Sequence, residues 1–198
     1  MKKKIAIITA LIAALVIGAF AFTACGGEEE EPEPPRYEYY SMVYDAELEG
    51  LVLSVAHSAL LAEGAISVPS SSYYYADEEG GETVRHDEPV DIVALADGAF
   101  EGVSRAHTVS LPSTVKSVGA EAFKNCRNLT SVTLMSSVRI GDEAFFGCDE
   151  LTEVSGGSIS AIGSRAFYGC FRLSSMTEIS ATTAGEDAFA FCGIDPMA

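Results

Sequence analysis

The second half of the chain is built on a period of 22 residues, and this repeat limits the fold more than any other feature. An Ala-Phe pair recurs at successive spacings of 23, 22, 22 and 22 residues. The pairs stand at 99–100, 122–123, 144–145, 166–167 and 188–189. One unit is too short to bury a core of its own, whereas stacked units bury a continuous core. The period therefore predicts a solenoid of five coils, each in contact with its neighbours.

Two apolar patterns alternate within each unit. Ile140, Ala144, Cys148 and Leu151 are spaced so that they share one face of a helical turn. Residues 131–134 alternate hydroxyl and apolar side chains, which is typical of a short strand with one buried face. A glycine suited to a tight turn recurs between the two patterns, at positions 119, 141, 163 and 185. Each unit is therefore predicted to contain a strand, a tight turn and a short helical turn.

These repeated residues resemble a known family. The pattern I-G-x-x-A-F-x-x-C-x-x-L-x-x-V, present at 140–154 and with Val for Ile at 118–132, is similar to the BspA-type leucine-rich repeat of bacterial surface antigens. The resemblance covers about residues 92–195. It implies an α/β fold, a leucine-rich-repeat solenoid of 22-residue units with short parallel strands, short helical turns and an N-terminal β cap. It also implies a binding role without catalysis.

The later coils depart from the family pattern. The family usually has Leu-Pro after the strand, and only Leu111-Pro112 keeps it. Glu178 falls at a position where an inward-facing residue is expected. A bulge or a shifted register is therefore predicted at Glu178.

The region before the repeats is predicted to cover the first coil, because an uncapped coil exposes apolar surface and unpaired strand groups. Residues 65–69 and 90–93 are strand-like, with a loop rich in Ser, Tyr and Glu between them. In similar proteins such a region forms a capping hairpin. Residues 48–61 fit a strand pair or a short helix, of which strand is preferred. The predicted organisation is a lipoprotein signal peptide at 1–24, an acidic tether at 25–46, an N-terminal β cap at 47–91 and leucine-rich repeats at 92–198.

The first 24 residues have the composition of an export signal. Lysines at 2–4 precede an uncharged apolar stretch at 5–22, as in a secretory signal peptide. A retained membrane anchor is the alternative. The Phe-Thr-Ala-Cys of residues 22–25 resembles the bacterial lipobox, with Phe22 where Leu is most common. The resemblance implies acylation of Cys25, attachment to a membrane, and a location outside the cytoplasm, at the bacterial cell surface or envelope.

The chain is strongly acidic. It has 12 Lys and Arg against 29 Asp and Glu, for a formal charge of −17. Removal of residues 1–24 removes three lysines and no acid, so the mature charge is 9 − 29, or −20. A nucleic-acid partner is excluded because the chain lacks a basic footprint. The densest acid lies at 26–35, where GGEEEEPEPP predicts an extended tether.

Four of the five cysteines occupy one repeat position. Cys126, Cys148, Cys170 and Cys192 each follow an Ala-Phe pair by three residues, and Val103 holds the same position in the first unit. A position that also accepts Val favours a buried ladder of free thiols. Disulfides between neighbouring coils and metal binding are the alternatives. Parallel side chains would hold the Cβ atoms about 4.8 Å apart, farther than a disulfide normally allows.

The sequence contains no recognisable catalytic centre. His86 is followed by Asp87 and Glu88, but no nucleophile or zinc signature accompanies it, and His57 and His107 stand alone. We therefore expect no enzyme activity, no cofactor and no metal site.

Two groups of residues are candidates for ligand binding. One is the outward-facing side of the repeat strands, which carries mostly hydroxyl groups: Thr108, Ser110, Ser131, Thr133, Ser155, Ser175 and Thr177, with Glu153 among them. The alternative is that Ser and Thr are simply tolerated on exposed strands. The other group is Tyr73, Tyr74 and Tyr75, which are candidate aromatic anchors in the capping loop or pack against the first coil.

Together these features predict a surface-anchored lipoprotein that acts as a binding or adhesion module without catalysis. The expected partners are the membrane, through acylated Cys25, and a host or bacterial surface protein or glycan. The alternative is a structural envelope component that self-associates through the edge of its solenoid.

Overall fold

The computed structural model describes residues 40–55, 64–76, 84–181 and 184–194. At 40, 55, 73, 74 and 84–87 it describes the backbone alone. All the described residues belong to one compact unit. The predicted signal peptide, Cys25, the acidic stretch 26–35 and His57 lie outside the described residues.

The described residues form strands joined by turns. The strands are β1 (Tyr40–Asp45), β2 (Gly50–Val55), β3 (Gly64–Ser67), β4 (Ser71–Tyr75), β5 (Val84–Leu95), β6 (Ala106–Leu111), β7 (Ser117–Val118), β8 (Ser131–Ile140), β9 (Glu153–Ile162) and β10 (Ser175–Ile179). Within these residues there is no helix long and apolar enough to cross a membrane.

Strands β1 to β5 cover the first coil, and β3 and β5 confirm the strands predicted at 65–69 and 90–93. Of the stretch 48–61, residues 50–55 form β2, and residues 56–61 lie outside the described part of the chain. β1 and β2 pair antiparallel, and β2 continues in parallel onto β5 through Leu51 and Leu53. β3 pairs in parallel with β6, where Ile66 lies opposite Val109. β4 pairs antiparallel with β5, so the predicted Ser- and Tyr-rich loop is partly a hairpin. The fold begins at or before Tyr40, within the stretch 25–46 that the sequence assigns to a tether.

The repeats form two parallel ladders. β8 joins both, because its 131–134 end pairs with β6 and its 139–140 end pairs with β7. β9 pairs with β8 along both ends, and β10 extends the ladder beyond β9. Residues at one repeat position therefore form a column that runs along the stack of coils.

The Ala-Phe segments form successive turns, so the predicted helical turns are wrong. In the second coil, the N–H groups of Lys124 and Cys126 donate to carbonyls three residues earlier, at 2.9 and 3.2 Å. The intervening N–H groups of Phe123 and Asn125 donate instead to carbonyls of the third coil, at 2.7 and 2.8 Å. An α-helix would bind all these donors within its own segment. The turn segments use alternate donors to join one coil to the next.

Left-handed backbone conformations fix this turn geometry. Two residues in each coil, four positions apart, have φ between 52° and 76°. They are Gly98 and Gly102, Glu121 and Asn125, Glu143 and Gly147, Arg165 and Gly169, and Asp187 and Phe191. A residue in this conformation cannot continue a right-handed helix. The non-glycine members, such as Glu121 and Phe191, gave no sequence signal for it.

The core of the solenoid is a stack of aromatic rings. The five phenylalanines of the Ala-Phe pairs lie face to face, with centroids 5.0, 5.2, 5.2 and 5.5 Å apart and planes within 6° of parallel. The first four of these rings, at Phe100, Phe123, Phe145 and Phe167, are fully buried, whereas the ring of Phe189 in the last coil is half-buried. The columns before and after the rings, such as Ile140 and Leu151, are also buried.

The regular spacing of glycine along the repeats has a steric cause. A Cβ at Gly141 would lie 2.7 Å from the N of Ala120 and 2.7 Å from the carbonyl carbon of Gly119. The φ of Gly141 is not left-handed, so close approach of neighbouring coils, and not a tight turn, requires glycine here.

The bulge predicted at Glu178 is confirmed. The register between β10 and β9 shifts between Met176 and Glu178, and the Glu178 side chain is exposed. The shift turns the carboxylate outward, which avoids the cost of a buried charge.

Candidate binding face

The predicted hydroxyl residues come together as two adjacent columns on one ladder. Thr108 lies beside Ser131, which lies beside Glu153, which lies beside Ser175. The second column is Ser110, Thr133 and Ser155. Parallel strands hold neighbouring members of a column about 4.8 Å apart. We call these seven residues together with Thr177 the hydroxyl face.

Most hydroxyls on this face are available to a ligand. Thr108 and Ser175 are exposed, and Ser110, Ser131, Thr133 and Ser155 are partly exposed. Within the described part of the chain, none of these six side chains forms a hydrogen bond. Each therefore keeps one donor and two acceptor positions that water or a ligand can fill.

A neighbouring hydroxyl column has a different role. The Oγ1 of Thr130 donates to the carbonyl of His107 at 2.8 Å, and the Oγ1 of Thr152 donates to the carbonyl of Thr130 at 2.9 Å. The Oγ of Ser174 donates to the carbonyl of Thr152 at 3.2 Å. These hydroxyls join one coil to the previous coil. The hydroxyls of this column therefore help to hold the coils together, whereas the six unbonded hydroxyls of the hydroxyl face do not.

The last member of the hydroxyl face is engaged internally. The Oγ1 of Thr177 donates to the carbonyl of Gly156 at 2.8 Å and also contacts the carbonyl of Gly157. This contact lies at the bulge near Glu178. The regular part of the face therefore ends at Ser175.

Charge on the hydroxyl face is confined to one residue. Glu153 is exposed and stands in the middle of the first column. His107, the residue before Thr108, is also exposed. Its backbone carbonyl accepts hydrogen bonds from the N–H and the Oγ1 of Thr130. An otherwise uncharged surface with one carboxylate favours ligands that hydrogen-bond over strongly anionic ligands.

Of the two alternatives for the tyrosines, exposed anchors or packing against the first coil, Tyr75 follows the second. All three belong to β4, and Tyr75 is only 8% exposed, with its ring 6.2 Å from that of Tyr44. Antiparallel pairing with β5 turns Tyr75 toward the core, which corrects its assignment as an exposed anchor. For Tyr73 and Tyr74 the structure describes only the backbone, so their role as anchors stays a prediction.

Sequence reasoning missed an aromatic column on the turn segments. Phe146 stacks on Tyr168 at 5.0 Å, and Phe191 meets Tyr168 edge to face at 5.1 Å. Phe191 and Phe171 are 65% and 61% exposed. The signal was present, because Lys124, Phe146 and Tyr168 each directly follow an Ala-Phe pair.

An ion-pair cluster flanks this aromatic column. Glu143 accepts a hydrogen bond from Lys124 at 2.8 Å and also pairs with Arg165 in the next coil. The Nζ of Lys124 and the Cζ of Arg165 lie 5.6 and 5.8 Å from the centroid of the Phe146 ring. The Lys124 contact, with a smaller contribution from Arg165, lowers the pKa of Glu143, and Glu143 raises the pKa of Lys124. One carboxylate thus joins three coils.

The cysteines form the predicted ladder. Each thiol donates to the carbonyl of the stacked phenylalanine in the preceding coil. The sulfur–oxygen distances are 3.1, 3.2, 3.3 and 2.8 Å for Cys126, Cys148, Cys170 and Cys192. Burial raises the pKa of Cys126 to about 12 and that of Cys148 well above its usual value. The first three thiols are buried as predicted, whereas Cys192 is half-buried.

In residues 40–55, 64–76, 84–181 and 184–194, no three side chains of His, Cys, Asp or Glu are placed to share an ion.

Comparison with known proteins agrees with this architecture. The model of the BspA type leucine rich repeat region matches residues 85–195 in six copies, which is more than half of the chain. No curated protein matches the chain. A leucine rich cell surface protein from Faecalibacterium prausnitzii is 18% identical with a TM-score of 0.52, and the match covers 84% of this chain and 48% of that one.

Two further solved structures are similar. The leucine rich repeat protein of T. pallidum is 16% identical with a TM-score of 0.43, over 79% of this chain and 87% of that one. A leucine-rich repeat protein from Bacteroides capillosus is 20% identical with a TM-score of 0.45, over 75% of this chain and 94% of that one. At these identities the likeness shows the fold alone. The chain spans about half the length of the F. prausnitzii protein.

Proposed function

Because the chain belongs to the BspA-type leucine-rich repeat family, we propose that it is a non-catalytic module that binds a protein or glycan through its hydroxyl face. Family membership suggests an interaction module, and the hydroxyl face supplies the surface. The observation that carries the proposal is the contrast between two hydroxyl columns. The side-chain hydroxyls of Thr130 and Thr152 donate to carbonyls of the preceding coil, whereas those of Ser131, Thr133 and Ser155 form no hydrogen bond within the described residues.

The hydroxyl face suits hydrogen-bonding partners. Its groups are in register along the stack, so a ligand with a regular backbone, such as an extended peptide or a glycan chain, meets equivalent groups at each coil. Hydroxyls are both donors and acceptors, so they fit peptide amides and sugar hydroxyls equally. Individual contacts of this kind contribute little, and affinity comes from their number.

The first test measures binding by the compact unit, residues 34–198. The fragment is titrated against bacterial and host surface extracts and against arrayed glycans, and saturable binding is expected. Thr133→Val with Ser155→Ala removes two free hydroxyls and is expected to weaken binding several-fold without a change in thermal midpoint. Thr152→Val is the matched control, since it removes a hydroxyl of the internal column and should leave binding unchanged.

The outcome against the proposal is equally specific. Binding that survives the Thr133→Val and Ser155→Ala changes would place the binding site elsewhere. Equal loss in the Thr152→Val control would show that hydroxyl removal acts through stability and not through the ligand.

The proposed location rests on the N-terminal sequence. We propose that Cys25 is acylated after removal of residues 1–24, which holds the repeats outside the cytoplasm by an acidic tether. More than one acyl chain gives durable membrane attachment, because each buried CH₂ contributes about 0.8 kcal/mol. Metabolic labelling with a fatty-acid analogue should mark the chain, and Cys25→Ala should abolish the label. Label that remains in Cys25→Ala would contradict acylation at this residue.

A further inference from the structure

The outer side of the fifth coil differs from that of every earlier coil. Within the described residues, the N–H groups of Asp187, Phe189 and Phe191 have no hydrogen-bond partner. The equivalent N–H groups of the third coil, such as those of Glu143 and Phe145, donate to carbonyls of the fourth coil at 2.9 and 2.7 Å. We call the three unpaired groups of the fifth coil the outward donors. They repeat the spacing with which each earlier coil binds the next one, so they are placed to bind a further segment of polypeptide.

Apolar side chains accompany the outward donors. The ring of Phe189 stacks on that of Phe167 with centroids 5.5 Å apart, and it is half-buried, whereas the ring of Phe167 lies between two others and is fully buried. Phe191 is 65% exposed, and Ile194 is half-buried at the edge of the core. Exposed apolar surface of this kind is typical of a contact surface. An aromatic ring placed on the outer side of Phe189 would continue the stack.

The fifth coil is acidic. Residues 184–194 contain Glu186 and Asp187, both exposed, and no lysine or arginine. Within the described part of the chain, Asp187 has no ion pair. A partner of opposite charge is therefore favoured, whereas a second copy of this chain would bring the carboxylates of two identical ends together.

Ion pairs between earlier coils show where a basic group would lie. Glu143 pairs with Arg165, and the carboxylate of Glu150 pairs in the same way with Arg172. In both pairs the acid and the base hold one repeat position in adjacent coils, 22 residues apart. Asp187 follows Arg165 by a further 22 residues and therefore holds the same position, two residues before the stacked phenylalanine of its coil. A basic residue at this position of an added coil would lie beside Asp187.

We propose that the outer side of the fifth coil binds a peptide segment of a partner protein in which a basic residue stands two positions before an aromatic residue. The peptide adds a sixth coil, because its carbonyls accept hydrogen bonds from the outward donors. Its aromatic ring stacks on Phe189, and its basic side chain pairs with Asp187. Addition of a chain segment to unpaired backbone groups is an established mode of peptide recognition. The proposal is independent of the hydroxyl face and of its ligand.

The test uses the full 198-residue chain and a synthetic peptide copied from its fourth coil, residues 162–181 with Cys170→Ser. This peptide contains Arg-Ala-Phe at 165–167, and in the intact chain the same segment stacks on the third coil. Anisotropy of the fluorescently labelled peptide should show saturable binding of one peptide per chain. Amide hydrogen exchange at the outward donors, followed by NMR, should slow when the peptide is bound.

A charge swap locates the peptide. Arg165→Glu in the peptide and Asp187→Lys in the chain should each weaken binding roughly three- to tenfold, and the two together should restore most of the lost affinity. Glu101→Lys is the matched control, since it reverses an exposed carboxylate in the first coil and should leave binding unchanged.

Several results would overturn the proposal. They are the absence of saturable binding, a swap that restores no affinity, equal loss in Glu101→Lys, and slowed exchange confined to other coils. Slow exchange at the outward donors in the free chain would show that this chain already covers them. Self-association that protects the same amides without peptide would identify a second copy as the occupant.

Discussion

The aromatic stack makes a quantitative prediction about where the stability of this solenoid lies. Phe145 is 1% exposed and is held between Phe123 and Phe167, with both ring centroids 5.2 Å away. Phe→Ala at a buried position costs about 3–5 kcal/mol, because apolar contact is lost and a cavity remains. That range already includes the two ring pairs that Phe145 loses, each worth about 0.5–1.5 kcal/mol. We therefore expect Phe145→Ala to lower the free energy of unfolding by about 4 kcal/mol.

The next residue provides a matched control. Phe146 is only half-buried, and its ring stacks on one neighbour, Tyr168, at 5.0 Å. Phe146→Ala should therefore cost about 1 kcal/mol, the value of one exposed aromatic pair. Phe189→Ala should fall between the two, because Phe189 stacks on Phe167 alone and is half-buried.

The measurement is unfolding of residues 34–198 by heat and by urea, followed by circular dichroism. At about 2–4 °C for each kcal/mol, Phe145→Ala should lower the midpoint by roughly 8–16 °C and Phe146→Ala by roughly 2–4 °C. An unchanged dependence on urea concentration would show that the same surface is exposed in all variants. Equal effects of Phe145→Ala and Phe146→Ala would refute the assignment of the stack as the core.

Three further perturbations test the contacts between coils. Gly141→Ala places a Cβ 2.7 Å from backbone atoms of the preceding coil and should lower the free energy of unfolding, measured in urea, by about 1–3 kcal/mol. Gly102→Ala is the control, because its Cβ would meet no atom within 4 Å. It should lose only about 1 kcal/mol, the cost of a left-handed backbone conformation at a residue with a Cβ. Glu143→Gln should remove a pH-dependent contribution to the free energy of unfolding. The hydrogen bond from Lys124 is the main cause that lowers the pKa of Glu143 below 4.5 in the folded chain. The ionised Glu143 therefore stabilises the fold fully above pH 4.5, and this stabilisation is lost as the pH falls through the folded pKa. Thermal midpoints measured between about pH 2 and pH 7, which brackets the titration of a glutamate, should therefore fall less on acidification in Glu143→Gln than in the unchanged chain. Thr152→Val should cost about 1 kcal/mol, since the carbonyl of Thr130 loses a hydrogen bond, and a differential thermal scan that shows no loss would contradict that role.

The repeat period predicted the columns because register follows directly from equal spacing. Val109, Val132 and Val154 are 23 and 22 residues apart and lie directly beside one another. The same arithmetic correctly placed the cysteines in one column and Glu178 at a bulge. These features depend on spacing and polarity, which a sequence displays.

Features that depend on the choice of hydrogen-bond partner were not predictable in the same way. The spacing of Ala144, Cys148 and Leu151 suits a helical turn and equally suits the turn segments, since both turn these side chains inward. The deciding factor is that alternate N–H groups find carbonyls in the next coil, which a single unit does not show. The burial of Tyr75 likewise follows from the pairing of β4 with β5, and three successive tyrosines give no indication of which one faces the core.

The alternating use of backbone donors also explains why the end of the stack differs from its middle. In the first four coils, the N–H groups at the two left-handed positions and at the stacked phenylalanine donate to the following coil, for example Glu143 to Ser164 at 2.9 Å and Phe145 to Ala166 at 2.7 Å. In the fifth coil, the equivalent donors of Asp187, Phe189 and Phe191 have no partner within the described residues. A left-handed non-glycine residue costs energy that surrounding contacts must offset, and within the described residues the fourth coil alone supplies backbone bonds to the fifth. Within the described residues the fifth coil is therefore the least constrained part of the array, and it carries Cys192, the half-buried member of the cysteine column.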